Sequence, residues 1–126
     1  MSKKLADIFD EKTMTQIARF FSRVAEDYKI DEAYLFGSHA DGTHKDGSDI
    51  DMAVVSDAIK NSQDKHNIFL RARACNHRIH VHSFGKQEFV AKESNVVEAI
   101  KSGIPIDVAK VLKSSGRGSE WETQKL

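Results

Sequence analysis

The segment from Leu35 to Val55, LFGSHADGTHKDGSDIDMAVV, limits what this chain can fold into more than any other stretch. It opens on Gly37-Ser38, passes through ten residues and closes on Asp49-Ile50-Asp51. Ala33, Tyr34, Leu35 and Phe36 lead into it, and Met52, Ala53, Val54 and Val55 end it. Two short apolar runs joined by a polar, Gly-rich connection predict a strand, a loop and a second strand. Side chains alternate across a strand, so Asp49 and Asp51 are expected on one face and Ile50 on the other. Paired carboxylates repel unless a cation lies between them or one takes up a proton. A hard cation such as Mg²⁺ suits the pair, and sites of that kind usually bind triphosphate oxygens as well. Gly37 lets the backbone approach a ligand, and Ser38 offers a hydroxyl and an N–H at the start of a helical turn.

The rest of the composition sets limits on partners and compartment. At 126 residues the chain is long enough for one core without metal or disulfide staples. Nineteen basic and nineteen acidic residues cancel, which argues against nucleic acid or an anionic membrane as a general partner. A single cysteine, Cys75, allows no internal disulfide and fits a reducing cytoplasm. The start, MSKKLADIFDEK, lacks a signal-peptide core, and no run is long enough to span a bilayer. A cytoplasmic protein is expected.

Residues 1–11 read as a polar lead-in. A helix is predicted from Thr13 to Tyr28, with Thr13 and Gln16 at capping-box spacing and Ile17, Phe20, Phe21 and Val24 on one stripe. The Asp41-Gly42 and Asp46-Gly47 pairs mark turns in the loop, where His39 and Lys45 are expected to be solvated. A second helix is predicted over 65–76, buried through Ile68, Ala72 and Cys75. The Arg71, Arg73 and Arg78 cluster near it could meet a triphosphate or an acidic partner surface, or simply lie in solvent. The run RIHVHSF, 78–84, predicts a third strand that sends Ile79 and Val81 into the core and His80 and His82 to the opposite face. A last helix over 96–102 ends at Gly103, and 104–109, holding the only proline, predicts an edge strand. The domain is drawn as 1–112, with 113–126 as a disordered tail. The sum is an α/β (α+β) fold, a small sheet with helices on one face and Asp49, Asp51, His80 and His82 on the other.

The spacing Gly37-Ser38, ten residues, Asp49-x-Asp51 resembles the signature of the nucleotidyltransferase superfamily that includes DNA polymerase beta. The compact size resembles its minimal nucleotidyltransferases, small bacterial and archaeal proteins often paired with HEPN-domain toxins. A lone Asp-x-Asp would read as a hairpin with a solvated acidic loop; two elements at this spacing, each on an apolar strand, favour the family reading. The resemblance implies a compact polymerase-beta-like core over roughly 12–107 with a small mixed sheet. It further implies Mg²⁺ or Mn²⁺ held by Asp49 and Asp51, and a nucleoside triphosphate, ATP, positioned by Gly37 and Ser38. The acceptor it implies is a tyrosine of a HEPN-type toxin, silenced by AMPylation in a toxin–antitoxin pair.

Family members generally carry a third acid on the strand after the Asp-x-Asp hairpin, where it holds metal and assists deprotonation of the acceptor. At that place this chain has His80, a candidate base near neutral pH but a poor ligand for Mg²⁺. A nucleotide-binding subunit that neutralises its partner by contact alone is the alternative. His77, His80 and His82 also raise a zinc site, but no supporting Cys or His stands at suitable spacing, so zinc is not expected. The acceptor, the preferred base and homo- or hetero-oligomerisation stay open.

Overall fold

In the computed structural model, which describes residues 5–91 and 94–112, the predicted stripe is wholly buried. Ile17, Phe20, Phe21 and Val24 show no exposed surface on α2 (Glu11–Ala25), which follows a single turn, α1 (Leu5–Ile8). The helix begins two residues earlier than Thr13, because Asp10 is its N-cap and accepts a hydrogen bond from the Thr13 amide at 2.8 Å. Thr13 is buried, and Gln16 instead accepts from the Asn76 side chain at 2.8 Å, so the capping-box reading of that pair is corrected.

The motif segment forms β1 (Glu32–Phe36), the turn α3 (Ser38–Asp41) and β2 (Ile50–Ser56). The chain then runs through α4 (Ser62–Cys75), capped by Asn61, into β3 (Ile79–Gly85). A parallel neighbour needs a crossover of a dozen or more residues, and α4 supplies it. Next come α5 (Lys86–Ala91), α6 (Asn95–Lys101), capped by Ser94, and β4 (Ile104–Pro105). The expected edge strand over 104–109 is therefore two residues long, and 108–112 are helical.

The sheet is mixed, in the order β3-β2-β1-β4, with β2 parallel to β3 and antiparallel to β1. Its register places Phe36, Asp51 and His80 in one row across three strands, and Tyr34, Ala53 and His82 in the next row on the same face. On the other face Leu35, Ile50, Met52, Val54, Ile79 and Val81 pack against α2 and α4 in the main core, the helix-covered face that the fold class predicts. The face carrying the polar row is not open along its whole length. Phe36, Ala53, Val55 and Phe84 form a second core with Phe89 of α5 and Val97 and Ile100 of α6. These helices cover one end of that face and leave the Asp51–His80 end clear. The predicted tail, 113–126, and the domain boundary at 112 lie at or outside the limit of the described residues. Among those residues no helix is long and apolar enough to cross a membrane.

Candidate functional site

The turn from β1 into α3 sets one wall of the site. Gly37 has φ +75° and ψ −153°, a combination that only glycine adopts without strain. It is also crowded, since a Cβ built there would lie 2.5 Å from Oδ2 of Asp51. The glycine at the head of the motif and the second aspartate at its end are therefore packed directly together. Ser38 is the first residue of α3, a turn whose initial amides have no partners within the helix. Gly42, in the left-handed region at φ +81°, ends the turn.

His39 is not solvated, which corrects the sequence expectation. It is 4% exposed, its Nδ1 is 3.0 Å from the backbone oxygen of Asp49, and its ring stacks on His44 at 4.3 Å and lies 5.1 Å from Phe9. Burial, and then the neighbouring His44, push its pKa down. A neutral His39 thus clamps the return of the loop against the start of α3. No separation of two along a strand could reveal that contact, although a histidine two residues after Gly37 and ten before Asp49 was visible.

Asp51 is about a quarter exposed, and its Oδ1 lies 3.4 Å from Nδ1 of His80, its direct partner across the parallel β2–β3 ladder. His80, the position at which the resemblance implies a third acid, is thus beside Asp51 on the neighbouring strand. His82 sits one pair further along the same face, its ring 4.7 Å from that of His80 and edge-on to Phe36 at 5.2 Å. Burial, then the neighbouring His80, lower its pKa, so the imidazole is held in its neutral form. Donor atoms of Asp51, His80 and His82 all lie within 4.8 Å of one another.

Asp49 immediately precedes β2, is exposed, and is not part of that group of three. His77 is exposed in the turn before β3 and is outside it as well. The metal-capable cluster therefore joins His80 and His82 to Asp51 rather than to His77. Its signal was the His-x-His alternation opposite Ile79 and Val81; the missing piece was the β2–β3 register.

Two of the three arginines are engaged on α4. Arg71 pairs with Asp27, donates to the Arg23 carbonyl at 2.9 Å and lies over the Tyr28 ring. Arg73 lies over Phe69, 5.8 Å from its centroid. Arg71 thus ties α4 to α2, while Arg78 stands in the turn before β3, where its carbonyl accepts from the Ile50 amide at 2.8 Å.

Fold and site together define an α/β domain whose polar chemistry is gathered at one end of a mixed sheet, beside a glycine turn suited to anions. The chain belongs to the nucleotidyltransferase domain family, whose model matches residues 17–115, and nucleotidyl transfer is the general chemistry of that family. A crystal structure from Sulfolobus solfataricus, of a protein provisionally named a nucleotidyltransferase, is 24% identical to it. That match covers 64% of this chain and 78% of the other, with a TM-score of 0.43. No curated protein matches the chain.

The family generally uses a divalent metal and a nucleoside triphosphate. Mg²⁺ prefers an octahedron of oxygens. The donors brought together here are one carboxylate and two imidazoles, which do not fit that preference.

Proposed function

We propose that this protein transfers AMP from ATP to a hydroxyl, the tyrosine of a HEPN-type partner protein, and so acts as an antitoxin in the cytoplasm. The observation that carries the transfer reading is the direct packing of Gly37 on Asp51, with His80 across the ladder from Asp51. This brings the two halves of the motif to a single point at the exposed end of the sheet. The acceptor and the antitoxin role rest on the resemblance to minimal nucleotidyltransferases.

In this reading Gly37 and Ser38 receive the β and γ phosphates through backbone amides and the serine hydroxyl, donors that are fixed before the ligand arrives. Asp49 and Asp51 flank the α phosphate. The acceptor oxygen attacks the α phosphorus, the bond from that phosphorus to the bridging oxygen breaks, and pyrophosphate leaves with the electron pair. The hydroxyl proton passes to His80 or to water. His80 stands where the resemblance implies an acid with two duties, holding metal and easing deprotonation.

A second reading is favoured by one specific observation. With a single carboxylate in the cluster, the chain would bind nucleotide weakly or turn it over slowly, and neutralise its partner by contact. Two experiments separate the readings. Calorimetric titration with ATP, with and without divalent cation, is expected to show metal-dependent binding that disappears in Asp49→Ala/Asp51→Ala. Incubation of the partner with ATP labelled in the α phosphate is expected to label its tyrosine. Nucleotide binding without any transfer, in the presence of the partner, would sink the enzymatic reading. A large gain in turnover on His80→Asp would show that the natural site is slowed by its imidazole.

A further inference from the structure

We infer that Asp51, His80 and His82 form a site for a borderline first-row metal ion, of which Zn²⁺ is the representative, in place of the Mg²⁺ that the nucleotidyl-transfer chemistry would otherwise use. The inference deepens the functional reading and rests on it only for what the metal is used for. The binding itself rests on three side chains and the backbone that holds them.

The backbone comes first. His80 and His82 are two apart on β3, so the strand alone puts them on one face, and Asp51 is the ladder partner of His80. Their opposite-face neighbours, Ile79 and Val81, are anchored in the main core. The three donors are thus placed by the same register that packs the core, not by a mobile loop. The separations suit a small ion. Two donors about 2.0–2.1 Å from a tetrahedral Zn²⁺ lie roughly 3.4 Å apart. Asp51 Oδ1 and His80 Nδ1 already stand at 3.4 Å. All three donor atoms lie within 4.8 Å of one another, so the wider pairs must close toward roughly 3.4 Å on an ion.

The surroundings are consistent with ligation. The edge-on Phe36 ring limits how His82 can turn. Ala53, the ladder partner of His82, places no bulk beside it. His80 is about half exposed, so the ion would have a route in from solvent. Two imidazoles and one carboxylate leave at least one coordination position for an outside oxygen, as in zinc sites with two histidines and one glutamate. Nitrogen ligands favour the later first-row ions, whereas Mg²⁺ favours oxygens throughout. On this assignment His80 performs the metal-holding duty of the missing acid and not the proton-taking one.

The test uses the full chain, freed of metal, and no nucleotide. Zn²⁺ is titrated in competition with a chromophoric chelator, Mg²⁺ is titrated separately, and Co²⁺ serves as a spectroscopic probe. One equivalent of Zn²⁺ is expected to bind at least about 100-fold tighter than Mg²⁺, given the preference of imidazole for the later ions. Co²⁺ is expected to give the intense visible bands of a low-coordinate nitrogen site. His80→Gln and His82→Gln, each confirmed as folded by circular dichroism, should each weaken Zn²⁺ binding by at least about tenfold. His66→Gln/His77→Gln, which removes surface imidazoles outside the cluster, should leave it unchanged. Equal or tighter Mg²⁺ binding, or Zn²⁺ binding indifferent to His82→Gln, overturns the inference. A protein that ignores Zn²⁺ but binds ATP with Mg²⁺ overturns this inference and leaves nucleotidyl transfer standing. A protein that holds Zn²⁺ as described but takes up no nucleotide with any metal supports the site and overturns the functional reading.

Discussion

Replacing Gly37 by alanine tests the central contact of the site more directly than removing a charged residue. Two costs are visible in the structure. The backbone at φ +75° and ψ −153° is a region where a residue with a Cβ pays about 1–3 kcal/mol. The new methyl would also stand 2.5 Å from Oδ2 of Asp51, well inside contact distance. That oxygen is the end of a side chain, so it would swing aside at about 0.5–1.5 kcal/mol of rotamer strain rather than break the sheet. Together Gly37→Ala should destabilise by about 2–4 kcal/mol, a fall in Tm of roughly 8–16 °C at roughly 4 °C per kcal/mol. Swinging aside takes Asp51 away from His80, so metal binding should fall with stability. Gly47→Ala is the matched control, because Gly47 has φ +83° but nothing within 4 Å of a built Cβ. It should cost about 1–2 kcal/mol from strain alone and leave metal and ATP binding intact. Urea denaturation and metal titration of both variants give the comparison. Equal losses in the two variants on both measurements would refute the claim that Gly37 matters through Asp51.

Two further tests concern the frame. Ile68→Ala, at a fully buried position on α4, should cost about 2–5 kcal/mol in urea denaturation, while Leu70→Ala, half exposed on the same helix, should stay within about 0.5 kcal/mol of wild type. Burial, then a 2.5 Å hydrogen bond to Glu32, raises the Tyr34 phenol to about 12. The native state thus holds that proton more tightly than the unfolded chain, whose phenol titrates near 10. Its contribution to stability is complete below that value and is lost as pH rises through about 12. Absorbance titration should show a late phenolate step that disappears in Tyr34→Phe.

The sequence was most legible where one local period decided the outcome. The Ile17–Val24 stripe and the alternation in RIHVHSF each pointed to one structure, and the neighbouring elements agreed. It was less legible where two local signals had equal spacing. Asp10 and Thr13 are as far apart as Thr13 and Gln16, and only the burial of Thr13 and the Asn76 partner of Gln16 decide which is the cap. The candidate site shows the same division. Gly37, Ser38, Asp49 and Asp51 could be named because they are close in sequence. His39 as a clamp, Arg71 as a tie between helices and the joining of His82 to Asp51 depend on partners brought together by tertiary packing. Charge and residue type alone do not disclose them.

The parallel pairing of β2 with β3 has one more implication. Asp51 meets His80 only after the chain has travelled the length of α4 and returned, and the meeting requires one alignment of the two strands. A shift of β3 by a single residue would turn both imidazoles toward α2 and α4 and offer Ile79 and Val81 to the ligand. The greasy interior and the ion-seeking cluster therefore proofread each other: a sequence change in the short turn at 76–78 that misaligned the strands would spoil both together. A misaligned sheet would carry neither, so the core and the donors depend on one and the same spacing.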